Sequence, residues 1–325
     1  MSAALQHSTA RIQWIDFSRV LAMYFVVQAH SYMNSDVLHQ HPHLTSGAVA
    51  LFFIISGYFA RFQSLKKTGT RLLAFVLFYL TWGTFTFAVS KHGKLTSFTE
   101  WWEYIPYTYG STMWFIRYLI IATVLIPIFA KFPQLLKWLS AVLLFAIGTY
   151  QTLSVEEALI CLNPYIALSL FFIGNSLNAF SIPQIEDIFF LKRFSVPTTA
   201  IFAFAFSYLL MLYLLGIFDI NFKIPYQINI FMTCWAIAAL GYSLEALAPG
   251  FTGRVASAGP AMVFVLGHHM PILRMFTSAH IRLIGGYPPY WLTFPFIIAL
   301  MLGSILIYRR LVGRNCLVDK MLFAR

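Results

Sequence analysis

The sequence predicts an all-α, polytopic membrane protein with about ten transmembrane helices and with both the N-terminus and the C-terminus cytoplasmic. Three observations predict it. Of the 325 residues, 59% are hydrophobic and only 10% are charged, against roughly 25% charged in soluble domains. Apolar runs of about 20 residues, the length that crosses a bilayer, recur from end to end. Lysine and arginine fall in the short stretches between those runs, and they do so unevenly. The length alone would allow two soluble domains, but no polar block is long enough to be one.

The predicted spans lie near 14–32, 46–64, 71–90, 112–130, 135–150, 160–180, 196–217, 226–246, 256–276 and 290–311. The fifth is short, and the ninth is the least apolar because it ends in GHHMPILRM. The chain thus divides into a polar tail, 1–13, a single membrane domain, 14–311, and a second tail, 312–325. The first apolar run continues as a full span, so no cleaved leader is expected. No transporter-like internal repeat and no low-complexity tract is evident.

Orientation follows from the basic residues. With the N-terminus inside, the inner loops and tails hold fifteen of them: Arg11, Arg61, Lys66, Lys67, Arg71, Lys131, Lys137, Lys192, Arg193, Arg254, Arg309, Arg310, Arg314, Lys320 and Arg325. The outer side holds five: Lys91, Lys94, Lys223, Arg274 and Arg282. An excess of Lys and Arg over short loops marks the cytoplasmic side. The net charge of +11 therefore reports topology, and no nucleic-acid partner is expected, since the basic residues form no stripe interleaved with aromatics. Cys161, Cys234 and Cys316 are far apart, without CxxC spacing, and read as free thiols.

The first span carries the unusual chemistry. Its core, IDFSRVLAMYFVVQAH (residues 15–30), holds an aspartate, an arginine and a histidine. Arg19 and His30 are eleven positions apart, which brings them within about 20° of the same helix face and about 16 Å apart along the axis. Asp16 lies one turn before Arg19, within about 60° of it. Charged groups inside a span face a protein interior or a wet cavity, and they mark pathways and sites. A plainer reading makes Asp16 and Arg19 an interfacial ion pair that anchors the helix start.

At these residues the chain resembles the acyltransferase-3 family of integral-membrane O-acyltransferases. ARIQWIDFSRVLAMYFVVQAH is similar to its first helix, whose hallmark is Arg, ten residues, then His; here these are Arg19 and His30. VALFFIISGYFARF (49–62) resembles its second helix, STMWFIRYLIIATVLIPI its Trp-Phe helix that ends in proline, and MVFVLGHHMPIL its late helix with a histidine before proline, best matched by His269. The four motifs keep the family's order over almost the whole chain. The basic run after the second helix is shorter than the family's and lacks its proline: RFQSLKKTGTRLLAF. Like the short members, the chain shows no appended soluble domain.

The resemblance implies transfer of an acyl group, commonly acetyl from cytoplasmic acetyl-CoA, to a sugar hydroxyl. The acyl-CoA is then a co-substrate, and no tightly bound cofactor is expected. The implied partners are the acyl-CoA donor, a carbohydrate or glycolipid acceptor of the cell envelope, and the lipid bilayer; the implied location is a bacterial inner membrane, crossed several times. Arg61, Lys66, Lys67 and Arg71, on one short inner loop, are the candidates for the CoA phosphates, because Lys and Arg clusters suit phosphate. Positive-inside bias would place the same residues there. Arg71 best matches the family's donor-binding arginine. Arg19 either meets the donor or fixes the helix through Asp16.

His30 is the candidate general base, since imidazole titrates near about pH 6.5 and can take and return a proton. A covalent acyl-histidine is the rival route. Trp114, Arg117, His269, Glu100 and Glu103 are the candidates for the acceptor, the last two in the aromatic outer loop 91–111. Ser56-Gly57-Tyr58 suits close helix packing more than catalysis. Asn163 and Asn175 either line a cavity or bind backbone. His39, His41 and His43 alternate in HQHPH with only Asp36 nearby, so no metal site is expected. The alternative function is a proton-coupled transporter or flippase of a polar or lipid-linked substrate, for which intramembrane Asp, Arg and His are equally suited.

Overall fold

A computed structural model describes residues 12–31, 43–90, 97–107, 113–153, 163–189, 191 and 226–312. It contains twelve α-helices among them: α1 (Gln13–Ser31), α2 (His43–Phe59), α3 (Leu65–Ser90), α4 (Phe98–Tyr107), α5 (Met113–Phe129), α6 (Gln134–Leu153), α7 (Pro164–Leu177), α8 (Ile182–Ile188), α9 (Tyr226–Leu247), α10 (Pro249–Ala256), α11 (Met262–Ile284) and α12 (Tyr290–Leu311). No strand occurs among the described residues. The predicted seventh span, 196–217, lies outside them.

The all-α class is as expected. Among the described residues, three stretches are long and apolar enough to cross a membrane: Leu65–Ser90, Pro249–Ile284 and Trp291–Leu311. The pair α7–α8, bent by 119°, makes a fourth if read as one broken span. Apolar segments of α2, α5 and α9 are shorter. Three helices were not predicted, and all are too short to span: α4 has 10 residues, α8 has 7 and α10 has 8. The loop expected at 91–111 therefore contains a helix. The predicted third and ninth spans also shift, to Leu65–Ser90 and Met262–Ile284. α3 thus takes Lys66, Lys67 and Arg71 onto its opening turns.

α1 is the hub, packing against α2, α9, α10, α11 and α12. Its first N–H groups have no partner within the helix, and other helices supply one. The Trp14 N–H donates to Glu245 Oε2 of α9 at 2.8 Å, and the Trp14 indole donates to Glu186 Oε1 of α8 at 3.3 Å. Carboxylates at a helix N-terminus are electrostatically favourable as well. α2 and α7 cross so closely that each needs a glycine. A Cβ on Gly57 would stand 1.9 Å from the Phe171 carbonyl oxygen, and one on Gly174 would stand 2.0 Å from that of Ile54. The crossing brings the Asn175 and Asn178 amides onto the Gly57 and Tyr58 carbonyls at the end of α2 and onto that of Ala60 just past it. Asn163 instead caps α7, its Oδ1 accepting from Tyr165 N and Ile166 N. Both candidate asparagines thus bind backbone.

Candidate functional site

The first helix runs unbroken from Gln13 to Ser31, so the three polar residues keep their common face. At one end Arg19 Nη1 donates to Asp16 Oδ1 at 2.9 Å. The Asp16 carboxylate nestles against Gly259, in the turn before α11. The Arg19 guanidinium also lies over the Phe59 ring, 5.2 Å from its centroid, within the range of a cation–π contact. Phe59 is the last residue of α2, the end held by Asn175 and Asn178.

Phe59 also belongs to the wall of a cavity of about 240 Å³, lined by Phe59, Arg61, Gln63, Lys67, Thr68, Arg71, Thr123 and Ile126. Three of the four predicted donor residues are therefore brought together. Lys66, the fourth, is exposed and does not line this cavity. The cations are held in place locally. Lys67 Nζ donates to Gln63 Oε1 at 2.7 Å, and the Arg71 guanidinium lies over Phe75, 5.6 Å from the centroid. Phe59, Gln63, Thr68, Thr123 and Ile126 were not picked out from sequence. The clue for Phe59 was its place two residues before Arg61. Thr123 and Ile126 come from a helix distant in the chain and gave none.

At the other end of α1, His30 turns inward. Its Nδ1 lies 3.0 Å from Nε2 of His269 on α11, with ring centroids 5.1 Å apart and planes inclined by 37°. His269 is 0% exposed, and its Nδ1 faces the Val265 and Leu266 carbonyl oxygens at 3.0 and 3.1 Å. The sequence brought these two histidines forward separately; the fold makes them a pair. His268, its neighbour, points elsewhere. Its Nδ1 meets the Phe264 carbonyl at 2.6 Å, its Nε2 meets Ser304 Oγ at 2.7 Å, and its ring packs on Trp82 and Phe264. This divergence is the one that 100° per residue imposes on adjacent helical positions. Gly267 admits the Trp82 ring, since a Cβ there would lie 2.6 Å from Trp82 Cδ1.

His30 and Trp114 share a small cavity with Val26, Val49, Phe52, Phe115 and Leu266. At about 20 Å³ it has room for about one water. It has no lining residue in common with the basic cavity, but α2 and α5 contribute to both. α5 gives Trp114 and Phe115 to the one and Thr123 and Ile126 to the other. Arg274, half-buried on α11, lies within electrostatic reach of His30 and donates to Ser90 Oγ at 2.8 Å. The sequence alone makes it an outer-side charge; the signal for more is its place five residues after His269.

Of the remaining acceptor candidates, Arg117 and Glu100 are not gathered at His30. Arg117 Nη2 donates to the Tyr118 hydroxyl at 3.2 Å and lines neither cavity. Glu100 is exposed in the first turn of α4. The Glu103 side chain, like His39 and His41, lies outside what is described. Among the described residues no three metal-ligating side chains gather. A third cavity, about 640 Å³, shares Phe59 with the basic one but is otherwise walled by residues such as Trp14, Ile54, Trp138 and Ile185. Cys234, on its wall, is a free, buried thiol whose Sγ lies 3.0 Å from the Gly47 carbonyl oxygen.

No curated protein and no solved structure matches the chain significantly. A family model described as an acyltransferase domain, that of the acyltransferase-3 family, matches residues 12–309. The match runs from the residue before α1 to the last turn of α12, and it takes in both cavities and the histidine pair. The chain therefore belongs to the acyltransferase-3 family and is a membrane acyltransferase.

Proposed function

We propose that the chain moves an acyl group, acetyl in the first instance, from acyl-CoA at the basic cavity to a hydroxyl of a carbohydrate or glycolipid at His30. One observation carries this reading: Arg19, which packs on the Phe59 wall of a cation-lined cavity, and the inward-facing imidazole of His30 share one polar face of α1, about 16 Å apart along its axis. The cavity's cations suit the CoA phosphates, because Arg and Lys give charge-assisted hydrogen bonds to phosphate oxygens. The pantetheine arm then has to part the side chains between the two cavities, along the walls that α2 and α5 share.

The transfer balances with one base. The acceptor O–H gives its proton to His30, and its oxygen attacks the thioester carbonyl carbon. The C–S bond breaks, the leaving sulfur takes the proton back from His30, and the products are an ester and CoA thiol. Trp114, on the wall beside His30, offers a face on which a sugar ring can stack. With the basic cavity facing the cytoplasm, donor and acceptor approach from opposite sides of a bacterial inner membrane that the chain crosses several times. The acceptor is then a cell-envelope glycan or glycolipid. Family membership favours this transfer over the carrier reading.

The test is transfer of radiolabelled acetyl from acetyl-CoA in native membrane vesicles, which hold the endogenous acceptor. His30→Ala abolishes labelling, while acetyl-CoA still protects the purified variant against heat. Labelling at the wild-type level in His30→Ala overturns the assignment of the base. A protein that transports without cleaving the thioester overturns the function.

A further inference from the structure

We propose that His269 is a positioning residue, which acts through His30 by holding it in the one neutral tautomer that leaves Nε2 of His30 free to take the acceptor's proton. The inference rests on His30 being the base.

The argument is a proton count. Carbonyl oxygens only accept hydrogen bonds. His269 Nδ1 faces two of them, Val265 at 3.0 Å and Leu266 at 3.1 Å, so it carries a hydrogen. Neutral imidazole has one N–H, so Nε2 of His269 is left with its lone pair. That lone pair points at Nδ1 of His30, 3.0 Å away. Two lone pairs do not face each other at that distance, so His30 Nδ1 supplies the hydrogen. Among the described residues, the ring nitrogen of the pair left without a proton or a partner is then Nε2 of His30.

The same geometry fixes which histidine reacts. Both nitrogens of His269 are engaged within the protein, and the residue is 0% exposed. His30 is the one that lines the cavity with Trp114. The arrangement does for His30 what an orienting acceptor on Nδ1–H does for any histidine base: it sets the tautomer and the ring angle. Here a second imidazole fills that place instead of a carboxylate. Burying an unpaired charge is costly, and a neutral acceptor avoids that cost.

Two measurements test it on the full chain. The first is nuclear magnetic resonance of protein labelled with ¹⁵N in the histidine rings, with the His30 and His269 signals assigned by their single variants. The expected result is a proton on Nδ1 of His30 and a ¹⁵N–¹⁵N coupling across the hydrogen bond to Nε2 of His269. A proton on Nε2 of His30, or absence of the coupling, overturns the inference whatever the activity. The second is acetyl transfer from acetyl-CoA in native vesicles. His269→Leu, which removes the acceptor, lowers turnover by about 10²-fold with acetyl-CoA protection unchanged. His269→Gln, whose side-chain oxygen can accept in place of Nε2, recovers most of it. Equal loss in both variants assigns His269 a merely structural role and overturns the inference. Full activity in His269→Leu while His30→Ala is dead also overturns it, and leaves the base in place. Full activity in His30→Ala removes the base itself.

Discussion

Arg19 binds two groups with one guanidinium, the Asp16 carboxylate on its own helix and the Phe59 ring at the end of α2. It thereby joins the start of α1 to the wall of the basic cavity. Arg71 lies on that wall, over Phe75, while Lys66 is on the same turns but off the cavity. Position and bulk charge can therefore be told apart. A hydrogen bond to a charged group contributes roughly 1.5–3 kcal/mol, so Arg71→Ala weakens acetyl-CoA binding by about 10- to 100-fold. Lys66→Ala leaves affinity within about a factor of two, as an exposed charge contributes little. Titration of purified protein with acetyl-CoA checks both. Equal losses would mean that the basic residues act through bulk charge and not through position.

At the scale of elements, the crossing of α2 and α7 sets where Phe59 and Arg61 stand. Gly57 and Gly174 meet the opposite backbone reciprocally, and neither neighbour is a side chain that can swing away. Gly57→Ala and Gly174→Ala each destabilise by about 1–3 kcal/mol, the usual cost of overpacking. Gly69→Ala, on the exposed start of α3 with nothing within 4 Å, is the control; it stabilises by about 0.5–1 kcal/mol, since alanine is the better helix former. Thermal unfolding in detergent separates the three. Ser56-Gly57-Tyr58 announced this crossing in the sequence, because small residues inside an apolar run suit close helix approach. α1, α5 and α12 were legible to within a residue or two, being bounded runs of one period. α4, α8 and α10 were not, because short amphipathic helices leave no run of span length. The His30–His269 pair was legible only as two residues. They lie 239 positions apart, and no local pattern in either helix names the partner.

At the scale of the whole molecule, donor and acceptor can meet only if the two ends of α1 open to opposite sides of the membrane. The fifteen-to-five distribution of basic residues predicts that the Arg61–Arg71 end lies in the cytoplasm and that α4, beyond the far end of α3, lies outside. Both regions offer exposed positions away from either cavity: Thr70 at the start of α3, and Thr99 in the first turn of α4. In a background with Cys161, Cys234 and Cys316 replaced by serine, Thr99→Cys reacts with a membrane-impermeant maleimide in intact spheroplasts. Thr70→Cys reacts only after the membrane is opened. Labelling of both, or the reverse order, would set donor cavity and His30 on sides that cytoplasmic acyl-CoA cannot serve. The expected order instead places thioester and alcohol on opposite approaches to one imidazole, so that transfer of the acyl group is also its passage out of the cytoplasm.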